Sequence, residues 1–217
     1  MHDRHSIKGI GNDYCPAGDD NCPNLTKVER LQEEVKKLSA MVRTDALTGL
    51  FKFRYFYQAL GLEMERTRRS GQSDCLIMCD LDHFKNINDI HGHEVGNLVL
   101  SHVADLVRKT IRRLDIPCRY GGEEFAIILP DTSRRQGVQF ADRMRLIIEN
   151  SPVEIGDMML GIKASFGVDI YKRSDHFTER EFVERADAFL FQAKSEGRNR
   201  VCHAPYAKED EVSVDEI

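Results

Sequence analysis

The sequence predicts a domain of the α/β or α+β class, with strands and helices alternating around one sheet. Three observations support this class. The chain has 217 residues, enough for one domain of about 150 residues plus appended segments. Hydrophobic residues make up 41% and charged residues 31%, which is ordinary for a globular protein and too apolar for a disordered one. Between residues 45 and 203, short apolar runs alternate with segments of helical periodicity.

A polar leader, residues 1–24, precedes this domain and is rich in Gly, Pro and Asp. It contains His2, His5, Cys15 and Cys22, which are residue types that bind zinc. Their spacing matches no compact zinc finger. We therefore expect an inert leader, with a metal or redox site as the alternative.

Residues 25–43 are predicted to form a helix with apolar residues at heptad spacing. Valines occupy the a positions and leucines the d positions: Val28, Val35, Val42, Leu31 and Leu38. This combination favours a parallel two-stranded coiled coil. The alternative is a helix that packs on its own domain, since about two heptads are marginal alone.

The elements of the domain follow in order along the chain. We expect a buried strand at residues 75–79, a helix at 98–111, strands at 116–120 and 125–129, a helix at 136–148, a strand at 160–170, and a helix at 179–195 capped by Gly197. Gly121 and Gly122 between the two central strands predict a hairpin with a two-residue turn. The domain then ends near residue 203, and residues 204–217 form an acidic tail.

The charge distribution excludes one class of partner. The net charge is −5, and residues 208–217 contribute −4 through five acidic residues and one lysine. The rest of the chain is nearly neutral and lacks the basic footprint of a protein that binds DNA or RNA. An anionic ligand must therefore be held by locally placed cations.

The sequence also predicts no membrane partner. Its longest apolar run is too short to span a bilayer, and the N-terminal residues lack the apolar stretch of a secretory signal. A chain of this length with six cysteines needs no disulfide framework. We expect a cytoplasmic location.

Carboxylates gather at two points of the predicted sheet. Glu123 and Glu124 follow the two glycines, whose missing side chains would let a ligand approach the backbone. Asp80 and Asp82 end the first buried strand, where α/β folds place ligands. If Asp80 and a hairpin glutamate converge, they form an oxygen site suited to Mg²⁺ with nucleotide phosphates. The alternatives are a solvated hairpin tip and exposed acids at a strand end.

Three cations are candidates for holding phosphates. Lys85 follows the aspartate pair. Lys194 and Arg198 are four residues apart, which predicts that both lie on the same face at the end of the last helix. The alternative is a solvated helix end, where cations are favourable in any case.

Four motifs together resemble the GGDEF family, the bacterial diguanylate cyclases. They are DALTGL at 45–50, CDLDHFKNINDIHGHEVGN at 79–97, RYGGEEF at 119–125 and FQAKSEGRNRV at 191–201. The resemblance covers residues 44–203. It implies a central, mostly antiparallel five-stranded sheet wrapped by helices, similar to the palm of nucleotidyl cyclases. It also implies condensation of two GTP into cyclic di-GMP with release of two pyrophosphates, a second-messenger activity associated with biofilm formation.

The resemblance assigns metal-binding and catalytic roles. Asp80, Glu123 and the carbonyl of Leu81 would bind two Mg²⁺ ions, with Mn²⁺ as a possible substitute. Glu123 would also lie near the 3′-hydroxyl as a base, and Glu124 and Lys85 would complete the catalytic set. A catalytically inactive receptor for nucleotides is the rival interpretation, but such domains usually have broken metal or turn residues, and those are intact here.

The substrate-binding roles follow the same resemblance. Lys85, Lys194 and Arg198 would hold the β- and γ-phosphates, Gly121 and Gly122 would admit the ribose and α-phosphate, and Asn88 and Asn97 would contact guanine. The family commonly has Asp where this chain has Asn97. An amide offers one acceptor to the guanine edge and can also pair with adenine, so relaxed specificity, with synthesis of mixed cyclic GMP–AMP, is the alternative.

The resemblance further implies product inhibition and a homodimer. The family's inhibitory RxxD site corresponds to Arg112 and Asp115, with Arg143 as a secondary contact. Each domain holds one GTP, so two domains must face each other. The helix at residues 25–43 would bring them together.

Overall fold

The structure is a computed structural model that describes residues 30–31, 33–34 and 43–206. Residues 30, 31, 33 and 34 are helical. The predicted leader with its Cys/His set, most of the predicted heptad helix and the acidic tail beyond residue 206 lie outside the described residues. The chain divides into two units, Met1–Val42 and Arg43–Ile217.

A six-stranded sheet forms the centre of the second unit. Its strands are β1 (Phe51–Lys52), β2 (Asp74–Leu81), β3 (Ile116–Arg119), β4 (Glu124–Leu129), β7 (Ala164–Tyr171) and β8 (Val201–His203), and β5 (Val153–Ile155) pairs with β6 (Met158–Leu160) in a separate hairpin. The strand order is β1-β3-β4-β2-β7-β8. The inner pairs are antiparallel, and the two outermost pairs are parallel. The mostly antiparallel sheet is confirmed.

The predicted count of five strands is corrected to six. The two outermost strands, β1 and β8, have only two and three residues. Elements this short leave no period-2 pattern in a sequence. The predicted strand at 160–170 is also divided, because β6 ends at Leu160 and β7 begins at Ala164.

Helices cover both faces of the sheet. They are α1 (Phe53–Ser70), α2 (Phe84–His91), α3 (His93–Thr110), α4 (Arg134–Glu149) and α5 (Glu179–Ser195). Capping boxes fix the starts of α4 and α5, through Ser133 with Gln136 and Thr178 with Glu181. None of the helices in the described part of the chain combines the length and the hydropathy that crossing a bilayer requires.

Strand β2 links two hydrophobic cores because its side chains alternate between the faces of the sheet. Cys75, Ile77 and Cys79 belong to the core that α3 and α4 cover. Leu76 and Met78 belong to the core that α1 and α5 cover. All eight residues of the strand are therefore buried, which explains its continuous apolar run.

Candidate active site

The ends of strands β2 and β4 bring two carboxylates together. Asp80 lies directly opposite Glu124 in the antiparallel register. Paired residues point to the same face of a sheet, so both side chains lie on the face that α1 and α5 cover. Asp80 is only 9% exposed, and Lys194 of α5 places its Nζ atom 2.8 Å from Asp80 Oδ2.

Burial and mutual repulsion make this carboxylate pair attract cations. Burial raises the pKa of Asp80, while the ammonium of Lys194 and the guanidinium of Arg198 lower it. Burial also raises the pKa of Glu124, and the charge of Asp80 adds to the effect. One ammonium does not neutralise two carboxylates. A further cation at this point would relieve their repulsion.

The donor set fits a divalent cation that is shared with a phosphate ligand. Within the residues that the structure describes, no cluster of three or more His, Cys, Asp or Glu side chains could hold a metal alone. Mg²⁺ is usually held by one or two carboxylates, with substrate phosphates and waters filling the other positions. Asp80 and Glu124 supply two such carboxylates.

The register separates the two glutamates of the hairpin. Glu124 faces Asp80, whereas the carbonyl of Glu123 accepts a 3.4 Å hydrogen bond from the Leu81 backbone N–H. Glu123 thus lies beside Leu81, and the side chains of both glutamates are partly exposed. The prediction that Asp80 and a hairpin glutamate converge is met by Glu124.

The turn between β3 and β4 is longer than the predicted two residues. Residues 120–123 separate the strands, and the backbone N–H groups of Tyr120 and Gly121 both donate to the Glu124 carbonyl. Neither Gly121 nor Gly122 has a positive φ. The backbone conformation therefore does not require glycine here, and the two residues matter for the room they leave. A Cβ at Gly121 would collide with Glu124 Oε2, and a Cβ at Gly122 would enter open space.

Arg119 holds this turn against the start of the domain. Its Nη2 atom donates to the Gly122 carbonyl at 2.9 Å, and its Nη1 atom lies 3.2 Å from Asp45 Oδ1. Asp45 also accepts from the backbone and hydroxyl of Thr48. Both residues lie within motifs that the sequence displays, but no local pattern reveals a contact across 74 residues.

Asp82 takes no part in the carboxylate pair. Its Oδ1 atom accepts from Ser165 Oγ at 2.7 Å, and its Oδ2 atom accepts from the Asn199 backbone N–H at 2.9 Å. The side chain is buried and both oxygens are engaged. Asp82 therefore fixes the loop that carries Asn199.

The predicted phosphate-binding cations differ in their relation to the carboxylate pair. Lys85 is exposed on α2, and Lys194 contacts Asp80 from α5. The predicted helical face shared by Lys194 and Arg198 is wrong, because α5 ends at Ser195 and Arg198 has a φ of 65°. The predicted cap at Gly197, with a φ of 113°, causes this.

The two asparagines with predicted guanine contacts lie where α2 meets α3. Asn88 is half-buried, and its Oδ1 atom occupies the space that a Cβ at Gly96 would need. Asn97 follows on α3 with its side chain exposed. Among the described residues, neither side chain has a hydrogen-bond partner.

A cavity of about 100 Å³ lies at the opposite end of β4, and all three residues of the predicted inhibitory site line it. Arg112 donates its backbone N–H to Asp115 Oδ2 at 2.7 Å. Burial raises the pKa of Asp115, against the lowering effect of that hydrogen bond. Arg143 on α4 lies over the ring of Phe140, with Cζ 5.4 Å from its centroid.

Comparison with known proteins identifies the family. The family model described as "Diguanylate cyclase, GGDEF domain" matches residues 42–200. The chain belongs to the GGDEF family. This GGDEF protein is 38% identical over 160 residues to the response regulator PleD of Caulobacter vibrioides, a match covering 73% of the chain and 35% of PleD. It is 36% identical over 201 residues to diguanylate cyclase VdcA of Vibrio cholerae, covering 91% of the chain and 56% of VdcA.

Solved structures share the fold of this GGDEF domain. The GGDEF domain of DgcB from Caulobacter crescentus, in complex with c-di-GMP, superposes with a TM-score of 0.71 at 30% identity, covering 76% of the chain and 94% of that structure. The active GGEEF domain of a diguanylate cyclase from Vibrio cholerae gives 0.66 at 30% identity, covering 72% and 98%. The chain spans between about a third and just over half the length of the two curated relatives.

Proposed function

We propose that this chain is a diguanylate cyclase that condenses two GTP into cyclic di-GMP and releases two pyrophosphates. The observation that carries the proposal is the pairing of the buried Asp80 with the half-buried Glu124, beside an open glycine turn and in contact with Lys194 through Asp80. Two carboxylates with a phosphate-binding cation are suited to phosphoryl transfer. The family membership and the relatives named as diguanylate cyclases support it.

The metal-binding residues would be Asp80, the Leu81 carbonyl and the hairpin glutamates Glu123 and Glu124. Two Mg²⁺ ions, or Mn²⁺ in their place, would polarise the phosphate oxygens when bound. Glu123 would accept the proton of the GTP 3′-hydroxyl. The 3′-oxygen then bonds to the α-phosphorus of the second GTP, and the bond to pyrophosphate breaks.

The remaining residues would bind and orient the substrate. Lys85, Lys194 and Arg198 would hold the β- and γ-phosphates, and Lys194 must exchange its contact with Asp80 for one with phosphate. Gly121 and Gly122 would admit the ribose and α-phosphate. Asn88 and Asn97 would hydrogen-bond the guanine edge.

The test of this function is a product assay by mass spectrometry, with purified protein, Mg²⁺ and GTP, ATP or both. We expect cyclic di-GMP from GTP alone, and none from Asp80→Asn, which keeps the shape of the side chain but not its charge. Binding of GTP without any product would show an inactive nucleotide receptor instead.

Asn97 supports a second candidate, the synthesis of mixed cyclic GMP–AMP. Its exposed amide replaces the carboxylate common in the family, and an amide can pair with the donor–acceptor edge of adenine. We expect Asn97→Asp to raise the preference for GTP over ATP in a competition assay with both nucleotides. An unchanged ratio of products would contradict a role for Asn97 in specificity.

We propose in addition that Arg112, Asp115 and Arg143 bind the product and inhibit the enzyme. A guanidinium and a carboxylate at one cavity suit a phosphate and a guanine edge, respectively. The related DgcB domain was solved with c-di-GMP bound. We expect Arg112→Ala to relieve inhibition in a titration with cyclic di-GMP. Arg135→Ala, the same change on α4 away from the cavity, should leave inhibition intact; equal behaviour of the two variants would contradict the assignment.

A further inference from the structure

The loop that follows α5 has an unusual backbone. Gly197, Arg198 and Asn199 have φ angles of 113°, 65° and 46°, three positive values in succession. The Cβ atom of an L-residue makes this left-handed region of backbone angles unfavourable, and single residues occupy it more often than runs do. Such a conformation persists only where surrounding groups hold it, and it often occurs at functional sites.

Several hydrogen bonds hold this loop. Arg145 Nη1 donates to Asn199 Oδ1 at 3.5 Å, and Arg200 Nε donates to the Arg198 carbonyl at 3.2 Å. Three more are formed by N–H groups of the loop itself. The Arg198 backbone N–H donates to the Ala193 carbonyl at 2.9 Å, which completes the helix end. The Asn199 backbone N–H donates to Asp82 Oδ2 at 2.9 Å. The Asn199 side chain donates from Nδ2 to Glu149 Oε1 at 2.8 Å. Asn199 thus connects two separate acceptors.

Both acceptors are themselves fixed. Asp82 is buried and also accepts from Ser165 on β7. Glu149 lies at the end of α4, where Arg145 Nη1 contacts its Oε2 atom at 3.1 Å. The Asn199 amide is therefore held between the sheet and α4, and its loop cannot rotate without breaking these contacts.

Asparagine suits this position better than its nearest alternatives. It tolerates the left-handed region more readily than most side chains, and its amide donates to a carboxylate. Glycine would accept the backbone but lose the contact with Glu149. Aspartate would place a second carboxylate against Glu149.

The neighbour of Asn199 is the cation predicted to hold phosphate. Arg198 is exposed, and its charge acts on Asp80, which connects the loop to the carboxylate site. We propose that Asn199 is a positioning residue for Arg198: with Asp82 and Glu149 it holds the loop so that the guanidinium meets the β- and γ-phosphates of the nucleotide. This inference rests on the proposed function for the phosphate-binding role of Arg198.

The test compares two ligands that differ in those phosphates. Full-length variants are titrated with GMP and with a GTP analogue that carries a methylene between its α- and β-phosphorus atoms. We expect Asn199→Ala to weaken binding of the analogue about tenfold, the scale of one charge-assisted contact, and to leave GMP binding unchanged. Asn150→Ala removes an asparagine at the end of α4 that bonds only its own helix and serves as the control.

Two further measurements separate positioning from a general structural role. In an Arg198→Ala background, Asn199→Ala should cause no additional loss. Asn199→Asp should weaken binding of the analogue because the new carboxylate repels Glu149 and displaces the loop. Glu149→Gln in the same chain should restore affinity because the glutamine amide donates to the new carboxylate. Thermal unfolding of each variant checks its folding, and Asn199→Gly, which keeps the backbone conformation, replaces Asn199→Ala if the latter unfolds.

Several results would overturn the proposal. Equal loss for GMP and the analogue, or full loss from Asn199→Ala in the Arg198→Ala background, would show that Asn199 only supports the fold. Unchanged affinity in Asn199→Ala and in Asn199→Asp would show that it has no positioning role. A wild-type protein that binds neither ligand would overturn the proposed function, and the positioning role with it.

Discussion

At the scale of single residues, the site is defined by which carboxylate faces which. The motif RYGGEEF shows two glutamates but does not indicate which one meets Asp80. The register of β2 and β4 answers this, because Glu124 lies opposite Asp80. Alternation along a strand is predictable from sequence, but residues 82–123 separate β2 from β4 in the chain, so no tight turn fixes the offset between these two strands.

The raised pKa values of Asp80 and Glu124 predict that activity is lost at a higher pH than exposed carboxylates would cause. Burial raises both, so these groups take up protons at a higher pH than exposed carboxylates with the ordinary value of 3.8 or 4.5. Protonated acids do not bind divalent cations, so activity should fall as the pH drops through the raised values. Initial rates against pH measure this.

Folding should respond to pH with the opposite sign. A carboxyl whose pKa is raised in the folded state favours the protonated form, so its contribution to stability is lost as the pH rises from the ordinary pKa through the raised one. Glu124→Gln should flatten this part of the stability profile. Urea denaturation at several pH values measures the stability profile. For the activity prediction, a loss of activity only at the pKa of exposed carboxylates would contradict the burial argument.

At the scale of elements, long and strongly patterned segments are predictable and short or mixed ones are not. Helix α5 runs over Glu179–Ser195 as its periodicity predicts. The patterns considered above do not predict α1, because its buried face includes the polar residues Glu63 and Thr67. Thr67 is buried with a partner, donating from Oγ1 to Asp74 Oδ2 at 2.6 Å. That partner is invisible in the local sequence.

The packing of α5 on β7 depends on Gly167. A Cβ there would collide with backbone atoms of Ala186 and Leu190 in the helix. We expect Gly167→Ala to lower the free energy of unfolding by about 2–3 kcal/mol, the upper range for overpacking, in urea denaturation. Because α5 carries Lys194, activity should fall as well.

Gly161→Ala is the matched control for this prediction. Gly161 lies between β6 and β7, its φ is not left-handed, and no atom lies within 4 Å of an added Cβ. Its effect should stay within about 0.5 kcal/mol, as for most surface changes. If the two variants unfold at the same urea concentration, close helix–strand contact at Gly167 is not what stabilises this packing.

At the scale of the whole molecule, the sequence predicts the fold class, a sheet with helices around it, but not all strands of the sheet. The fold class follows from the alternation of strands and helices, and the two cores on either side of β2 confirm it. The parallel edge strands β1 and β8 escape prediction because they are short and are ordered by their neighbours. Contacts between distant segments, such as Arg119 with Asp45, are not predicted because no local pattern in the sequence indicates which segments meet.

We propose that residues 25–43 bring two domains together, and deletion of residues 1–42 tests this. Without this helix the shortened chain should be largely monomeric. If each domain holds one GTP, as the proposed function requires, it should also be much less active at equal concentration. Fusion to an unrelated parallel two-stranded coiled coil should restore both properties. Light scattering and initial rates measure the outcome. A monomeric shortened chain with full activity would contradict the role of the helix.

The most direct test of the central claim is the mass balance of the reaction with GTP and Mg²⁺. Cyclic di-GMP and pyrophosphate are quantified from the same sample as GTP is consumed. A diguanylate cyclase yields one cyclic di-GMP and two pyrophosphates for every two GTP, and Asp80→Asn should yield neither. Consumption of GTP without cyclic di-GMP, or an Asp80→Asn variant as active as the wild type, would contradict the account.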